Sequence, residues 1–443
     1  MVSILWFRRD LRLHDNPALV SAAANGPVLP LFVLDPALVG PSGSPRLAFL
    51  YRSLRAFDEA LDGRLVVRHG SPADVVPALA REVDASSVFA AQDFGPYGER
   101  RDAALDLSLV GSSYAVPPGA VVKGDGSPFK VFTPFYRAWR AHGWPPPFGV
   151  PRVSWVTGVR SDGIPPDPRV EPRLPEAGEA AAGHRLESFV TDGLAAYGDE
   201  RNFPDRDATS RLSPYLKWGA IHPRTILARL EPGDETFRKE LAWREFYADV
   251  LLDRPDSARA HWNKPFDAMP YDRNPSRLLA WQTGMTGFPI VDAGMRQLLG
   301  EGWVHNRVRM IVASFFLKDL HLPWTEGARH FMRHLVDGDL ASNQHGWQWV
   351  NGSGTDAAPY FRVFNPVTQG QKFDPSGEYV RRWVPELRGV PGAAVHDPAA
   401  LMTLKGRLDA PAGLAGYPAP IVEHAQERAE ALARYQSIRG SAP

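Results

Sequence analysis

Short apolar runs alternate with amphipathic stretches over the first 130 residues of the chain. Four continuous apolar runs are typical of buried parallel strands: Val2–Phe7, Val28–Leu34, 65–67 and 88–91. Apolar residues from Leu47 to Leu61 instead recur every three or four positions, which predicts a helix, and Ser71 followed by Pro72 predicts the capped start of another. This alternation predicts a doubly wound, mostly parallel sheet with a ligand beyond the carboxyl ends of its strands.

A proline-rich stretch separates this region from the rest of the chain. Nine prolines between Pro145 and Pro175 favour an extended connector laid over a surface. Apolar positions then take helical spacing, most clearly over 237–246, 291–299 and 304–315. We expect helices to about residue 337 and glycine-rich loops after them.

These patterns together predict an α/β plus all-α fold in three parts. Residues 1–130 should form the α/β domain, residues 131–185 a proline-rich connector, and residues 186–443 a larger helical domain. The length agrees, because a single hydrophobic core stops growing at roughly 250–300 residues.

Composition narrows the classes of function. Of the 443 residues 44% are hydrophobic, so most of the chain must bury a core despite its 39 glycines and 42 prolines. The 50 basic and 50 acidic residues cancel, which argues against a protein that coats nucleic acid but leaves a local basic groove open. Because there is no cysteine, disulfides, cysteine-ligated zinc, iron–sulfur clusters and thiol catalysis are excluded.

Other familiar signals are missing or incomplete. The first apolar run stops at Arg8, too early for a signal peptide, and later runs are far shorter than the roughly 20 residues of a membrane span, so we expect a soluble, cytoplasmic protein. No P-loop or nucleophile elbow is present. His330 and His334 stand four residues apart without the glutamate of H-E-x-x-H, and we predict no metal site.

Tryptophan is concentrated in the helical half, where eight of the 13 lie between Trp218 and Trp349. The simplest interpretation of most of them is a large aromatic core. Trp347 and Trp349 flank Gln348, so their rings diverge, and one ring could face an interior cofactor while the other lines a cavity. Aromatic rings in a basic groove also hold unpaired bases, each worth roughly 1–3 kcal/mol.

Two polar clusters in the same half fit an anionic ligand. The segment TSRLSP at 209–214 either caps an apolar helix or cradles a phosphate. Arg307 and Arg309 border a buried helix face and need partners, for which Asp337 and Asp339 are candidates. These charges form either a structural ion pair or a site for phosphate or the N1–C2=O edge of a flavin.

Seven segments, in colinear order, resemble the photolyase/cryptochrome family, and most closely its class I cyclobutane pyrimidine dimer (CPD) photolyases. They are WFRRDLRLHDNP at 6–17, TSRLSPY at 209–215, ELAWREFY at 240–247, GWVHNRVRM at 302–310, DGDLASNQHGWQW at 337–349, GTDAAPYFRVFN at 354–365 and FDPSGEYVRRWVPEL at 373–387. The resemblance implies a carbon–carbon lyase that repairs UV-damaged DNA with light. It also implies electron transfer from excited, fully reduced FAD to a flipped-out dimer, and we expect a monomer.

The resemblance assigns the flavin side of the site. It implies that Arg309 pairs with Asp337 beside the isoalloxazine ring, with Asp339 nearby, and that Asn343 faces flavin N5. A neutral amide at that place favours the anionic reduced flavin. Further FAD-binding positions are Tyr197, Thr209, Ser210, Arg211, Leu212, Ser213, Arg244 and Asn306.

The resemblance also assigns the substrate side. Trp243 and Trp349 correspond to rings that sandwich the flipped-out dimer, and Glu240 to the carboxyl that hydrogen-bonds it. Asn306 and Met310 occupy positions where relatives that repair (6-4) photoproducts use histidine. Candidate phosphate contacts are Arg201 and Arg307.

Two features depart from the family pattern. The electron relay of the family runs through three tryptophans; Trp347 and Trp324 match the first two, but the outer position falls on Tyr271, with Trp262 as an alternative donor. Tyrosine must lose a proton as well as an electron, so this last step should be slower or pH-dependent.

Folate-binding members carry Asn-Glu where this chain has Tyr97-Gly98, which favours a deazaflavin or FMN antenna over methenyltetrahydrofolate and leaves an empty antenna site open.

Three rival functions stay open at this point. A cryptochrome-type photoreceptor is disfavoured because only about 55 residues follow Leu387, without a long polar tail, and the substrate-side residues are present. A (6-4) photolyase is disfavoured by Asn306 and Met310. A light-independent flavoprotein would have no need of paired tryptophans in a basic cavity.

Overall fold

The computed structural model describes residues 1–356, 361–406, 411 and 413–439. A five-stranded parallel sheet has the order β3-β2-β1-β4-β5. The strands are β1 (Val2–Phe7), β2 (Val28–Leu34), β3 (Val66–His69), β4 (Ala85–Gln92) and β5 (Ser108–Ser112). The predicted runs contain β1 and β2 in full because both strands are apolar and buried, whereas β5 is a mostly exposed edge strand that the apolar pattern does not predict.

Alternate side chains of β1 enter two different cores, as in a doubly wound sheet. The accompanying helices are α1 (Pro17–Asn25), α2 (Pro36–Val39), α3 (Ser44–Ala60), α4 (Pro72–Glu82) and α5 (Pro96–Asp102). Leu5 and Phe7 share a core with α1 and α3, while Ile4 and Trp6 share a core with α4. The helix predicted at Pro72 begins there, although the side chain before it makes no capping hydrogen bond.

The remaining helices form the larger part of the molecule. They are α6 (Phe132–His142), α7 (Glu179–Asp192), α8 (Tyr197–Glu200), α9 (Ser213–Trp218), α10 (Pro223–Leu227), α11 (Glu235–Asp253), α12 (Pro275–Thr283), α13 (Pro289–Glu301), α14 (Asn306–Lys318), α15 (Trp324–His334), α16 (Leu340–Asn351), α17 (Pro366–Phe373), α18 (Glu378–Trp383), α19 (Pro398–Lys405) and α20 (His424–Arg439). This architecture confirms the predicted fold class.

The expectation that helices end near residue 337 is wrong. Helix α16 begins three residues later, capped by the Asp339 carboxylate, which accepts a hydrogen bond from the Ser342 N–H. Its sequence holds no amphipathic pattern, but Trp347 and Val350 pack into the main helical core. Tertiary packing and a good N-cap therefore outweigh a weak local signal.

The proline-rich stretch is largely extended between α6 and α7. Within it Trp155 forms a parallel bridge to Val28, which lays the chain along the sheet. Helix α6 packs on α11, so its residues contribute to a helical core although they lie in the predicted connector. The domain boundaries stay a prediction.

Buried polar contacts join the sheet region to the helices. Asp15, next to α1, accepts a hydrogen bond from the Arg224 guanidinium at 2.5 Å. Burial alone would raise the pKa of this carboxyl, but hydrogen bonding with His222 and the charge of Arg224 lower it to about 2. In the part of the chain that the structure describes, no helix has the length and apolarity needed to cross a membrane.

Candidate functional site

The carboxylate of Asp337 joins three segments that are distant in sequence. Its Oδ2 atom accepts hydrogen bonds from Arg309 Nη2 of α14 at 2.8 Å and from Ser213 Oγ at the start of α9 at 2.7 Å. The side chain is only 3% exposed, and its other oxygen, Oδ1, is buried with no hydrogen-bond partner among the described residues. A buried acceptor of this kind needs a donor, so the site fits a ligand with N–H or O–H groups.

The hydroxyl-rich loop before α9 is held from outside. Arg185 of α7 donates hydrogen bonds to the carbonyl oxygens of Thr209, at 2.6 Å, and Ser210, at 2.8 Å. Arg211 has a φ of 49°, a rare conformation for a residue with a side chain, and its guanidinium lies 4.5 Å from the Trp303 ring centroid. The strained turn and the fixed carbonyls set the loop in one conformation beside Asp337.

Four arginines surround His305, the N-cap of α14. Burial, with the charges of Arg211, Arg307, Arg309 and Arg201, lowers the pKa of His305 to about 3. Its Nε2 atom is buried and has no hydrogen-bond partner in the described part of the chain. Arg201, Arg211 and Arg309 are also paired with carboxylates, so within the described residues Arg307 carries the uncompensated charge of a group of arginines that is suited to an anion such as a phosphate.

Arg307 differs from the other arginines of this group in its partner. Its guanidinium donates to the side-chain oxygen of Asn202 at 2.7 and 3.1 Å and lies 4.4 Å from the Phe373 ring. No described carboxylate pairs with it. The neighbouring Asn306 is exposed, and Met310 one turn away is half-buried, so this end of α14 presents an uncompensated cation near the surface.

Glu240 and Arg201, which the sequence assigns to different roles, form an ion pair. Arg201 Nη1 lies 2.6 Å from Glu240 Oε1, and the two side chains are 23% and 30% exposed. The Arg201 guanidinium also lies over the Tyr197 ring at 5.4 Å. Burial and then the charge of Glu240 raise the pKa of Tyr197. These three residues therefore occupy one polar corner at the start of α11.

Trp243 and Trp349 each have a close neighbour, Phe132 and Asp356 respectively. Trp243 stacks face to face on Phe132 of α6, with ring centroids 3.8 Å apart and planes inclined by 7°. Burial raises the pKa of the Asp356 carboxyl and the nearby Phe132 backbone N–H lowers it, while the Asp356 backbone carbonyl accepts a hydrogen bond from Trp349 Nε1 at 3.0 Å. Both indoles are half-buried, so each retains an accessible part.

Tyr247 lies between these two sides of the site. Its ring is 5.4 Å from Trp243 and stacks on His345 of α16 at 5.6 Å. Burial raises the pKa of Tyr247, and the charges of Asp356 and Glu240 raise it further, so both carboxylates lie near the phenol. The carboxylate and the tryptophans assigned to the substrate therefore share one neighbourhood.

The start of α16 contains a second charged group. Asp339 forms an ion pair with Arg9 from the sheet region at 2.6 Å. Burial opposes ionisation, but the charges of Arg9, Lys217 and Arg244 hold the pKa of Asp339 below its ordinary range. Arg244 itself donates to the carbonyl of Ser113 at 2.9 Å, which again joins the two regions.

The amide of Asn343 is oriented by its neighbours on α15 and α16. Its Nδ2 atom donates hydrogen bonds to the Ala328 carbonyl at 3.1 Å and to Gln344 Oε1 at 2.8 Å. One turn along α16, Trp347 is 3% exposed and meets Phe331 and Phe316 edge to face. The two residues predicted to lie nearest the flavin thus have fixed orientations.

The outer relay positions lie beside a histidine that the sequence does not single out. His261 contacts the Trp324 ring at 6.1 Å and stacks on Tyr271 at 6.2 Å with an interplanar angle of 14°. Trp262, the alternative donor, packs instead with the other helical core, and Lys130 Nζ lies 5.7 Å from its ring. Tyr271 is therefore the donor that has a ring contact leading to Trp324.

Comparison with known proteins identifies the family. A model described as DNA photolyase matches residues 3–152, and a model described as the FAD binding domain of DNA photolyase matches residues 237–437. The deoxyribodipyrimidine photo-lyase of Streptomyces griseus is 42% identical, with 99% of each chain covered. The chain belongs to the DNA photolyase family. Its Escherichia coli relative of the same name is 40% identical over 98% of both chains.

Solved structures of photolyases have the same fold. A photolyase from Agrobacterium tumefaciens, described as class III, superposes with a TM-score of 0.90 at 36% identity, covering 99% of this chain and 98% of the other. An archaeal photolyase from Sulfolobus tokodaii, described as holding two FAD molecules, gives a TM-score of 0.87 at 29% identity, covering 99% and 100%. Of the segments that resemble this family, residues 357–360 lie outside the described residues.

Several neighbours of the photolyase site were not predicted. Tyr247 ends the ELAWREFY segment and could have been noted from that motif. Asp356, which contacts Trp349, lies in the segment GTDAAPYFRVFN and could have been noted in the same way. Phe132, Asn202 and His261 carry no such signal, because each gains its role from a tertiary contact: with Trp243, Arg307 and Tyr271 respectively.

Proposed function

We propose that this photolyase splits cyclobutane pyrimidine dimers in DNA, using light and a fully reduced FAD bound among its helices. The observation that carries the proposal is the arrangement of Trp243 and Trp349. Trp243 contacts Tyr247, whose phenol lies near the carboxylates of Asp356 and Glu240, and Trp349 donates a hydrogen bond to the Asp356 carbonyl. Two accessible indoles beside a carboxylate suit a flipped-out pair of bases, which stack on rings and hydrogen-bond through their edges.

The residues present fit FAD. The unpartnered Oδ1 of Asp337 would accept a hydrogen bond from the flavin ring, and Arg309 would hold the carboxylate in place. The positive charge around His305, together with the loop from Thr209 to Ser213, would hold the diphosphate. FAD supplies the light-driven electron transfer; the protein supplies its orientation and the exclusion of water.

On the substrate side, Trp243 and Trp349 would stack on the dimer and Glu240 would hydrogen-bond it. The ion pair with Arg201 keeps Glu240 in position until a phosphate attracts the arginine. Arg307 already lacks an acidic partner in the described structure, which suits a second phosphate contact. Asn306 and Met310 lie one turn apart on the same face of α14 and would border the lesion.

The proposed relay runs from Trp347 through Trp324 to Tyr271. It is supported by the burial of both tryptophans and by the ring contacts of His261 with Trp324 and Tyr271. Of the three relay residues, Tyr271 is half-buried and the two tryptophans are buried, as expected if Tyr271 is the exit toward solvent.

For an antenna we propose a deazaflavin or a flavin rather than a folate. At the carboxyl end of β4, a Cβ atom on Gly98 would lie 2.3 Å from Cγ of Asp93, which Arg101 and the Gly95 N–H hold in place. The Tyr97 hydroxyl donates a hydrogen bond to the Asp35 carboxylate. A glutamate at position 98 is therefore sterically disfavoured.

The monomeric state and the cytoplasmic location expected from the sequence stay predictions.

The proposal is tested with purified protein whose flavin has been fully reduced. Oligothymidine containing cyclobutane dimers should lose them under near-UV or blue light and keep them in the dark. The matched control is an oligonucleotide that carries only a (6-4) photoproduct, which should stay unrepaired. Repair of the control alone would support the (6-4) alternative, and no repair of either lesion would refute the enzyme.

A further inference from the structure

His261 forms a hydrogen-bonded chain that starts at the outer relay residue. Its Nε2 atom lies 3.2 Å from the Tyr271 hydroxyl, and its Nδ1 atom lies 2.9 Å from Asp267 Oδ1. The same ring stands between Trp324 and Tyr271. A buried imidazole therefore contacts a phenol, a carboxylate and an indole at once, and none of the relay assignments above gives it a role.

The neighbours of this chain fix the direction of its hydrogen bonds. Asn351 Nδ2 donates to the Tyr271 oxygen at 3.2 Å, so the phenol turns its own O–H toward Nε2 of His261. The Asp267 carboxylate can only accept, so the imidazole proton lies on Nδ1. Nε2 is left as the base, at hydrogen-bond distance from the one proton that Tyr271 can lose.

We propose that His261 takes the phenolic proton of Tyr271 when Tyr271 passes an electron to oxidised Trp324; this rests on the proposed function. The electron returns Trp324 to a neutral indole, and the O–H bond breaks as an N–H bond forms at Nε2. Tyr271 becomes a neutral phenoxyl radical and His261 an imidazolium whose Nδ1–H stays bonded to Asp267. The oxidant that opens this sequence is a light-excited, oxidised flavin, acting through Trp347.

The surroundings keep this base neutral at neutral pH. Burial lowers the pKa of His261 below its ordinary 6.5; Asp267 raises it and Lys264 lowers it again. Lys264 Nζ lies 4.0 Å from the other oxygen of Asp267, so the carboxylate is shared between the two cations once His261 is protonated. Burial also raises the pKa of Tyr271 to about 12, which rules out a phenol that is already ionised. Proton transfer must therefore accompany oxidation, and acid should block it by filling Nε2.

The experiment is flash photolysis of the protein with oxidised FAD, following the tryptophan radical and the neutral tyrosyl radical by absorption. In His261→Gln a polar side chain remains but no base does, and tyrosyl radical formation should slow by roughly a hundredfold. The matched control is His424→Gln, because His424 is also paired with an aspartate, Asp319, but within the described part of the chain makes no hydrogen bond or ring contact with a relay residue. Its rate should equal that of the wild type. Equal rates in His261→Gln and the wild type would overturn the proposal.

Two further measurements do not depend on the folding of His261→Gln. The wild-type rate should fall as the pH drops through the lowered pKa of His261, which lies below 6.5, whereas Tyr271→Trp, whose donor need not lose a proton, should give a pH-independent rate. A wild-type rate that stays constant through this range would contradict the proposal. In flavin-free protein, nitrogen NMR should show His261 protonated at Nδ1 and bare at Nε2, and the reverse tautomer would also contradict it. Dimer repair by pre-reduced wild-type protein tests the proposed function separately, because that reaction starts from a flavin that needs no electron from Tyr271.

Discussion

Replacing Asp337 by Asn should weaken the link between α14, the start of α9 and the α15–α16 turn. The substitution keeps the shape of the side chain and one oxygen that can accept from Ser213, but it removes the charge that faces Arg309 at 2.8 Å and replaces the second, unpartnered oxygen by an NH2 group that cannot accept. Because the proposed FAD site rests on this carboxylate, both stability and flavin retention should fall.

The size of the effect follows from burial. Removing one member of a fully buried ion pair costs about 3–5 kcal/mol. Asp337 is 3% exposed, but Arg309 is 26% exposed and water screens its charge, so a cost near that of one charge-assisted hydrogen bond, about 2 kcal/mol, is expected. For a folding unit of 150–250 residues this corresponds to a fall in Tm of roughly 4–8 °C.

The assay is thermal unfolding of flavin-free protein by circular dichroism, with the FAD retained after dialysis measured in parallel. Ser213→Ala removes only the hydroxyl donor and serves as the smaller, matched change, with an expected cost of about 1 kcal/mol. If Asp337→Asn unfolds at the wild-type Tm and keeps its FAD, the contacts of this carboxylate are not what holds the site together.

Three other predictions concern the substrate and pH. Trp349→Ala should weaken binding of dimer-containing DNA roughly five- to 150-fold in a titration, from a stacking contribution of about 1–3 kcal/mol, while FAD stays bound; loss of FAD would contradict the placement of this ring on the substrate side. Binding should weaken with salt, and Arg307→Ala should reduce the log–log salt slope by about one while Arg307→Lys retains it; an unchanged slope in Arg307→Ala would argue against a phosphate contact. The pKa of Asp339 lies below its ordinary 3.8, so its pairing with Arg9 stabilises the protein above that pH and is lost as the pH falls through the lowered pKa. The difference in urea stability between wild type and Asp339→Asn, which keeps the N-cap, should therefore shrink on acidification. A difference that stays constant would refute this account.

The parallel sheet could be predicted because burial on both faces leaves continuous apolar runs such as Val2–Phe7. Ser108–Ser112 could not, since an edge strand with exposed side chains has no such run. Helix α16 is not predicted for a related reason: its sequence has no apolar stripe, and Trp347 stabilises it through rings supplied by α12, α14 and α15. The pattern of apolar residues along the chain does not predict an element whose stabilising contacts are made with distant parts of the sequence.

The candidate site likewise has features that the sequence predicts and features that only the tertiary structure reveals. The resemblance supplied Arg309, Asp337 and Glu240 as separate assignments, but not the ion pair of Glu240 with Arg201. The position of His261 beside Tyr271 depends on a turn and on helix packing, and no motif in the sequence contains both residues. Motifs therefore gave the identities of most site residues, while charge compensation and proton acceptors became visible only in three dimensions.

The central claim is that light-excited, reduced flavin in this chain splits pyrimidine dimers. The most direct measurement is the recovery of intact thymine, by absorbance, in dimer-containing oligothymidine after a single light flash. The protein is used once with its FAD fully reduced and once with it oxidised. Recovery that occurs only with reduced FAD is the predicted result. No recovery with reduced FAD, or equal recovery in both states, would contradict the account.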